Sequence, residues 1–524
     1  MLTKLKTFSL LGATSHPVDV EVSVTLAPDN GDSQPGFDDT RTTIVGMAKT
    51  VVRESAFRVR LALEHSGYQP PRGSILVNLA PADLPKQAAS FDLPISLGQI
   101  SSSGLARFEK LNDYAVIGEL DLDGHTRSCR GVLAAARAAK AQGLRGLLVP
   151  AANAQEAALV EGIEAIPIET LKDAVLFLQG KKEIKPALGL TGSEFDALTK
   201  YDFDFSEVRG QELAKRAMTI AAAGGHNVLM FGSPGAGKTM IAKRLVTIMP
   251  PLTLDEALET TEIYSASGKL DGRALIATRP FREPHHSISE PGLIGGGAIP
   301  APGEISLAHN GVLFLDELPE FNRKTLEALR QPLEDRVARI TRANQTETFP
   351  SNFILVAAMN PCPCGYRNDP RRKCRCTPQQ VASYMSRISG PLVDRIDIHI
   401  ETQPVTYREL SSTEPQTSSA EMRETVLLAR AIQAERYKDD EKVRVNSAMR
   451  RSHLERYARL SPESGALLEK AMDDFGLSAR AHDKILRVAR TIADIEQSDD
   501  IKQEHLFEAL NYRVLDRNLW KNTP

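Results

Sequence analysis

The sequence predicts an α/β protein built on a parallel sheet, with a helical bundle after it and a separate α+β domain before it. Three observations predict this. The apolar runs Val228 to Phe231, Val312 to Leu315 and Phe353 to Ala358 lead into Gly232, Asp316 and Asn360, as buried strands that end in working turns do. Past residue 420, Glu421 to Tyr437, Ser461 to Phe475, Arg480 to Ile495 and Lys502 to Leu515 repeat apolar residues at helical spacing. Before residue 178, strand-like runs (Val20 to Leu26, Ile75 to Leu79, Ala115 to Leu120, Leu147 to Val149) alternate with helical ones (Ala48 to Ser66, Gly131 to Gln142).

At 524 residues the chain is too long for one ordinary core, and roughly 150 residues per domain implies three or four units. The expected order is a domain at 1–178, a polar, Gly- and Pro-punctuated linker at 179–200, a core at 201–402, a second break at 403–419 and a helical lid at 420–524. Hydrophobic residues at 42% and charged residues at 25% fit a globular, water-soluble chain rather than a disordered one. Lys plus Arg at 64 against Asp plus Glu at 67 leaves a net charge of -3, so nucleic acid would have to be met by local basic patches. The amino-terminal apolar stretch after Lys4 and Lys6 is too brief for a secretory signal, and no apolar run approaches the roughly 18 residues of a membrane span. A cytoplasmic protein without membrane contact is expected. Of five cysteines, four fall between Cys362 and Cys376, which disfavours a disulfide framework and favours a metal site.

The segment Gly232, Ser233, Pro234, Gly235, Ala236, Gly237, Lys238, Thr239 stands between an apolar strand and a helical Met240 to Ile248. Glycines let such a loop turn its backbone N–H groups inward at a helix N-terminus, where they cradle phosphate. Lys238 would meet the β- and γ-phosphates of ATP and Thr239 would ligate Mg²⁺. A glycine-rich segment is otherwise just a turn, but the strand, loop and helix occur here in the required order. Asp316, at the end of the second apolar run, would hold the Mg²⁺ shell, and Glu317 would polarise the attacking water; the plainer reading is a strand capped by two solvated acids. Asn360 would sense the γ-phosphate, or else begin the Asn-Pro turn. Arg395 is the expected finger supplied to a neighbouring subunit, with Arg387 as the alternative and a surface salt bridge as the plain reading. Arg480, opening a lid helix, is expected to reach phosphate in cis. This combination marks an AAA+ motor.

Three stretches carry a closer resemblance: Arg282 to His286 with Gly292 to Gly297, Gly303 to Glu317, and Ala358 to Gly365. Together they resemble the magnesium-chelatase-like AAA+ ATPases of the ComM/YifB family, over nearly the whole chain. The resemblance implies a helix-2 insert at 279–303 and a pre-sensor-1 hairpin at 337–349, both facing the pore of a homohexameric ring. It also implies a motor on single-stranded or branched DNA that drives branch migration during integration of transformed DNA. Arg336, Arg339 and Arg342 would line a hairpin tracking the DNA backbone, unless they are merely solvated. His285 and His286 would line the pore or belong to a polar turn.

Cys362-Pro-Cys364 and Cys374-Arg-Cys376 pair thiolates as a Cys₄ site would, for Zn²⁺ first and an iron–sulfur cluster second; a reduced loop without metal is the alternative. Arg367, Arg371, Arg372, Lys373 and Arg375 face only Asp369, and Tyr366 adds a stacking surface, so the knuckle would grip DNA phosphates through Arg371, Arg372 and Lys373 or pack on a neighbouring subunit.

Ile117 to Gly124, Val132 to Ala135, Gly143 to Asn153 and Ala165 to Ile168 resemble the Lon-protease-like fold of the ribosomal S5 domain 2 type. An active member would pair a serine with a lysine. Ser90 falls near the serine position without its glycine-rich setting, and Cys129 stands where the lysine belongs. No peptidase activity is expected; loss of casein cleavage on mutating Ser90 would contradict this. The favoured function is an ATP-driven DNA motor. Two rivals remain, a chelatase-type chaperone that remodels a protein partner and an ATP-gated assembly scaffold.

Overall fold

The computed structural model describes residues 2–26, 40–46, 50–69, 73–84, 86, 89–297, 300–342, 345–367, 369, 371–411, 415–440 and 442–513. The chain divides into two compact units, Met1–Leu198 with Leu254–Ala277, and Thr199–Thr253 with Thr278–Pro524.

The first unit is α+β. Strands Leu2–Leu11, Thr14–Leu26 and Gly73–Ala80 pair antiparallel in that order, and Thr40–Val45 joins the last of them in parallel. Alternation puts Val18, Val20, Val22 and Val24 of one strand, and Ile75, Val77 and Leu79 of its neighbour, into the core. Helix Asp92–Ser102 lies against this face, and Gly98 permits it, because a Cβ there would meet Val22 Cγ2 at 2.4 Å. A second, parallel sheet orders Tyr114–Val116, Gly146–Pro150 and Glu164–Ile168. Leu254–Ser267, which the sequence places inside residues 201–402, packs in this unit: Ser265 Oγ accepts from Gly131 N–H at 2.9 Å, and Arg137 pairs with Glu262 at 3.0 Å.

The second unit holds five parallel strands, β1 Val228–Gly232, β2 Phe281–Arg282, β3 Val312–Leu315, β4 Ile354–Met359 and β5 Ile398–Thr402, in spatial order β2-β3-β4-β1-β5. β1, β3 and β4 are buried along their whole length, which is why they read as continuous apolar runs. β1 lies inside the sheet, between β4 and β5, and the loop after it stands at the carboxyl edge, where open α/β sheets bind ligands. Helices Ser419–Arg436, Arg451–Tyr457, Pro462–Phe475, Ala479–Ile495 and Gln503–Asn511 form the bundle. The sequence pattern anticipates four of these and misses Arg451–Tyr457, whose two turns are too short for periodicity to register. The end of the expected last helix, Leu515, lies outside the described residues.

Buried charge ties bundle to sheet. Asp397, just before β5, receives Lys484 Nζ at 2.9 Å and His226 Nδ1 at 3.1 Å, and His226 Nε2 meets Thr491 Oγ1 at 2.8 Å. Burial works against the Asp397 carboxylate, but Lys484 and His226 hold it far below the usual range. Removing one partner leaves a buried charge uncompensated, which costs about 3–5 kcal/mol. Lys484→Ala is therefore expected to lower the unfolding midpoint of this unit by roughly 5–15 °C in calorimetry; an unchanged midpoint would contradict the anchoring role. Among the described residues, no helix is long and apolar enough to cross a membrane.

Candidate nucleotide, arginine and metal sites

β1 ends at Gly232, where a Cβ would meet Thr402 O at 2.2 Å, so glycine is needed for β5 to pair closely. The loop then turns through Gly235 and Gly237 at φ +79° and +81°, with open space where each Cβ would stand. Conformation, not crowding, requires glycine at these two positions. Helix Lys238–Ile248 follows, its N-terminal N–H groups opening onto the loop. Lys238 Nζ is buried among oxygens, donating to Gly232 O at 2.7 Å, Ser233 O at 3.1 Å and Asn360 Oδ1 at 3.1 Å. Burial lowers its pKa, with Asp316 and Glu317 pulling the other way. Such a desolvated ammonium is suited to an incoming phosphate.

Thr239 Oγ1 donates to Asp316 Oδ2 at 2.9 Å, bringing together the two groups expected at Mg²⁺. Hydroxyl and carboxylate oxygens are the hard donors that Mg²⁺ takes alongside phosphate and water. Glu317 follows in the left-handed region at φ +51°, its N–H capped by Asp316 Oδ1 at 2.8 Å. Such strain at a non-glycine residue costs about 1–3 kcal/mol and gathers at functional sites. The Glu317 carboxylate meets His286 Nδ1 at 3.4 Å, and the His286 ring lies 4.0 Å from that of His285. The sequence reading offers His286 to a pore or a turn; its contact with Glu317 was missed, although its place just after the edge strand β2 is a usable signal.

The arginines gather elsewhere. Arg395 and Arg480 line one cavity of about 660 Å³ together with Glu334, Arg336 and Arg487, and no residue of the Gly232–Thr239 loop borders it. Arg480 thus stands with Arg395 and away from Lys238. Arg480 is expected to reach phosphate in cis; in the structure its helix presents its first turn to the Arg395 cavity. Arg395 is largely buried, pairs with Glu334, donates to Pro391 O at 2.7 Å, and keeps Nε buried without a partner. Arg387 is half exposed and pairs with Glu320 at 2.9 Å.

Strands Val337–Arg342 and Gln345–Pro350 pair antiparallel, with Arg339 opposite Thr348. Ala338 and Ile340 turn inward and Arg339 outward. Residues 343–344, within the expected hairpin, and the Arg342 side chain lie outside what the structure describes. Arg336, just before the first strand of the hairpin, lies at φ +58°, donates to Asn352 Oδ1 at 2.7 Å and borders the Arg395 cavity. In the insert, Gly295–Gly296 pairs with Ala301–Pro302, and Arg282 clasps Glu304 at 2.6 and 2.9 Å.

The four thiols come together. Cys362 Sγ lies 3.4 Å from Cys364 and 3.7 Å from Cys374, Cys364 lies 3.6 Å from Cys374, and all four sulfurs including Cys376 fall within 4.8 Å of one another. A tetrahedron of sulfurs at the zinc–thiolate distance has edges of roughly 3.8 Å, so the set fits such an ion. Backbone N–H groups of Arg375 and Tyr366 draw the Cys364 thiol down to about 6, easing the thiolate form. Two of the knuckle's arginines, both exposed, also meet neighbouring groups. Arg371 donates to Val405 O at 3.0 Å, Arg372 donates to Tyr366 Oη at 2.8 Å, and both border a cavity floored by Pro234 to Gly237. Of the predicted trio, Lys373 is exposed and does not line that cavity.

In the first unit Ser90 is buried, and burial pushes the Cys129 thiol up to about 12. Cys129 N–H donates to Asn153 Oδ1 at 2.9 Å, and Glu119, Asp92 and Glu156 add negative charge around it, so a neutral thiol occupies the position expected for a base.

A glycine cradle on a central parallel strand, with a buried lysine, a Thr–Asp pair and an amide from the adjacent strand, defines a P-loop protein of the AAA+ class. Family models bear this out along the chain: "Magnesium chelatase, subunit ChlI" matches residues 204–410, "Subunit ChlI of Mg-chelatase" matches 33–153, and the ChlI C-terminal model matches 416–513. The competence protein ComM of Haemophilus influenzae is 43% identical over 513 residues, 98% of this chain and 97% of its own. YifB of Escherichia coli K12 is 41% identical over 523 residues, 99% and 98% of the two chains. At a greater distance, the maternal DNA replication licensing factor mcm6 of Xenopus tropicalis is 22% identical over 353 residues, 61% of this chain and 38% of its own. The chain belongs to the ComM/YifB family of magnesium-chelatase-like AAA+ ATPases.

Proposed function

We propose that this chain is an ATP-hydrolysing DNA motor, a helicase-like machine that works as a homohexamer in the cytoplasm and drives branch migration of recombining DNA. The observation that carries the ring is the separation of the Lys238 constellation from the Arg395 cavity within one unit. A chain that keeps its phosphate cradle apart from Arg395 and Arg480 needs a second copy to join them. On this reading Lys238 binds phosphate, Thr239 and Asp316 hold Mg²⁺, Glu317 takes the proton of the attacking water, and Asn360 orients that water. Bound Mg²⁺ would neutralise charge on the β- and γ-phosphates. Arg395 and Arg480 both act on the nucleotide of the neighbouring subunit.

DNA as the load is supported by the names of two relatives, a competence protein and a DNA replication licensing factor, and by Arg339 on the outward face of the hairpin. Arg339→Ala is expected to weaken DNA binding at every sequence alike and to lower the slope of log affinity against log salt by about one per arginine engaged. A slope that does not move in anisotropy titrations would remove the hairpin from the DNA path. The Cys₄ knuckle holds zinc, and the amino-terminal domain is a Lon-like fold without peptidase activity that serves recognition or assembly.

The test compares wild type with Glu317→Gln for DNA-stimulated ATPase and for strand movement on a branched substrate. Stimulation and movement by wild type, both lost in the variant, support the motor. Nucleotide-dependent assembly with neither would favour a scaffold, and stimulation by a protein partner but not by DNA would favour a chaperone.

A further inference from the structure

The loop that carries the four cysteines does not stand away from the body as a free knuckle. It leaves β4 directly after Asn360, whose Oδ1 holds Lys238, and it returns along the glycine cradle. At Gly365, φ +83°, a Cβ would meet Pro234 Cδ at 2.7 Å, so the two loops are in van der Waals contact and glycine is required there. Asp369 hydrogen-bonds Ser233 through its side chain and accepts from the N–H groups of Arg371 and Arg372 at 2.8 and 3.1 Å, pinning the far end of the loop to the cradle. Arg372 then lies 5.0 Å over the Tyr366 ring and also donates to its hydroxyl, and Arg371 reaches across to Val405 O at 3.0 Å. The result is a cavity of about 470 Å³ lined by the glycine cradle, Val208, Tyr366 and Arg372.

We infer that the four-cysteine loop is a wall of the nucleotide pocket, that Tyr366 and Arg372 contact the base and ribose of a purine nucleoside triphosphate, and that the thiol cluster sets nucleotide affinity by holding this wall in place. The inference rests on the nucleotide reading of the Gly232–Thr239 loop. The cavity has the size of a small-molecule site, an aromatic face with a guanidinium over it stacks well on a nucleobase, and the arginines add charge beside the phosphates. Four thiolates within 4.8 Å supply the clamp: loss of the ion, or oxidation of a cysteine pair, releases the segment that carries both contacts.

Equilibrium titration of the full chain with a fluorescent ADP analogue tests this. Tyr366→Ala and Arg372→Ala are each expected to weaken binding roughly tenfold, while Tyr366→Phe, which keeps the ring, stays within about threefold. Removing the metal from wild type with a chelator is expected to weaken binding by roughly tenfold or more. Zinc chloride then restores binding, in step with metal content by mass spectrometry; Cys374→Ser is expected to match the metal-free protein. Lys238→Ala separates the two readings. If wild type does not bind the analogue, or Lys238→Ala binds it equally well, the nucleotide reading itself fails. If Lys238→Ala loses binding but Tyr366→Ala, Arg372→Ala and the metal-free protein bind as wild type does, the wall is overturned and the nucleotide reading stands.

Discussion

A Glu317→Gln variant is expected to bind nucleotide within about twofold of wild type and to hydrolyse it about 10²–10⁴-fold more slowly, the range a positioned general base contributes. The split follows from the contacts. Lys238 and Thr239 draw on Gly232 O, Ser233 O, Asn360 and Asp316, and none of these bonds involves Glu317. The Glu317 side chain is half exposed and leans on His286, poised beside the cradle without sealing it. Glutamine keeps the shape and removes the proton acceptor. Phosphate release and analogue binding, measured on one preparation, check the split; a parallel loss of both would move Glu317 from chemistry to folding. Asp316→Asn should lose both, because Thr239 depends on that carboxylate.

Arg395→Ala is expected to cost about 10³–10⁵ in hydrolysis, as loss of an arginine finger does, again without loss of nucleotide binding by the single chain. In this structure the guanidinium is engaged with Glu334 and Pro391 O and has one buried N–H unused. Its cavity sets Arg336, Arg395, Lys442, Arg450, Arg480, Lys484 and Arg487 against Glu334, Asp335, Asp394, Asp397 and Asp483, a small excess of positive charge that favours an anion. Arg480→Ala should fall in the same direction by a smaller factor, since it opens a helix at the cavity edge. Arg387→Ala, whose partner Glu320 lies outside that cavity, is expected to retain most activity. Steady-state ATPase of the three variants ranks them, and a deeper loss at Arg387 would reassign the finger.

Much of the catalytic centre was legible because its parts are contiguous in sequence. Gly232 to Thr239 writes strand, turn and helix in one run, and Asp316 to Glu317 marks the end of another strand. What sequence could not fix was direction. Charge identifies Arg336, Arg371 and Arg372 as basic residues, but not that the left-handed turn at 336 would set Arg336 beside one cavity, or that the Asp369 cap would leave Arg371 and Arg372, still exposed, at the border of another. Helical spacing finds the helix that begins at Ala479 but not the cavity its first turn meets. Helix Leu254–Ser267 lies inside the stretch expected to be one core, and nothing in its sequence distinguishes packing in one unit from packing in the other. The cysteines were readable as a pair of pairs; that their loop would border the glycine cradle depends on Gly365 and Asp369, residues with no motif of their own.

The central claim is that one subunit's cradle is completed by another subunit's arginines, and mixing inactive variants tests it most directly. Lys238→Ala subunits retain Arg395 but bind no nucleotide, and Arg395→Ala subunits bind it but offer no finger. Each alone is expected to be nearly inactive, whereas an equimolar mixture should recover a substantial fraction of wild-type ATPase, because some interfaces join an intact cradle to an intact arginine. A mixture no more active than its components, under conditions where both assemble, would contradict the account.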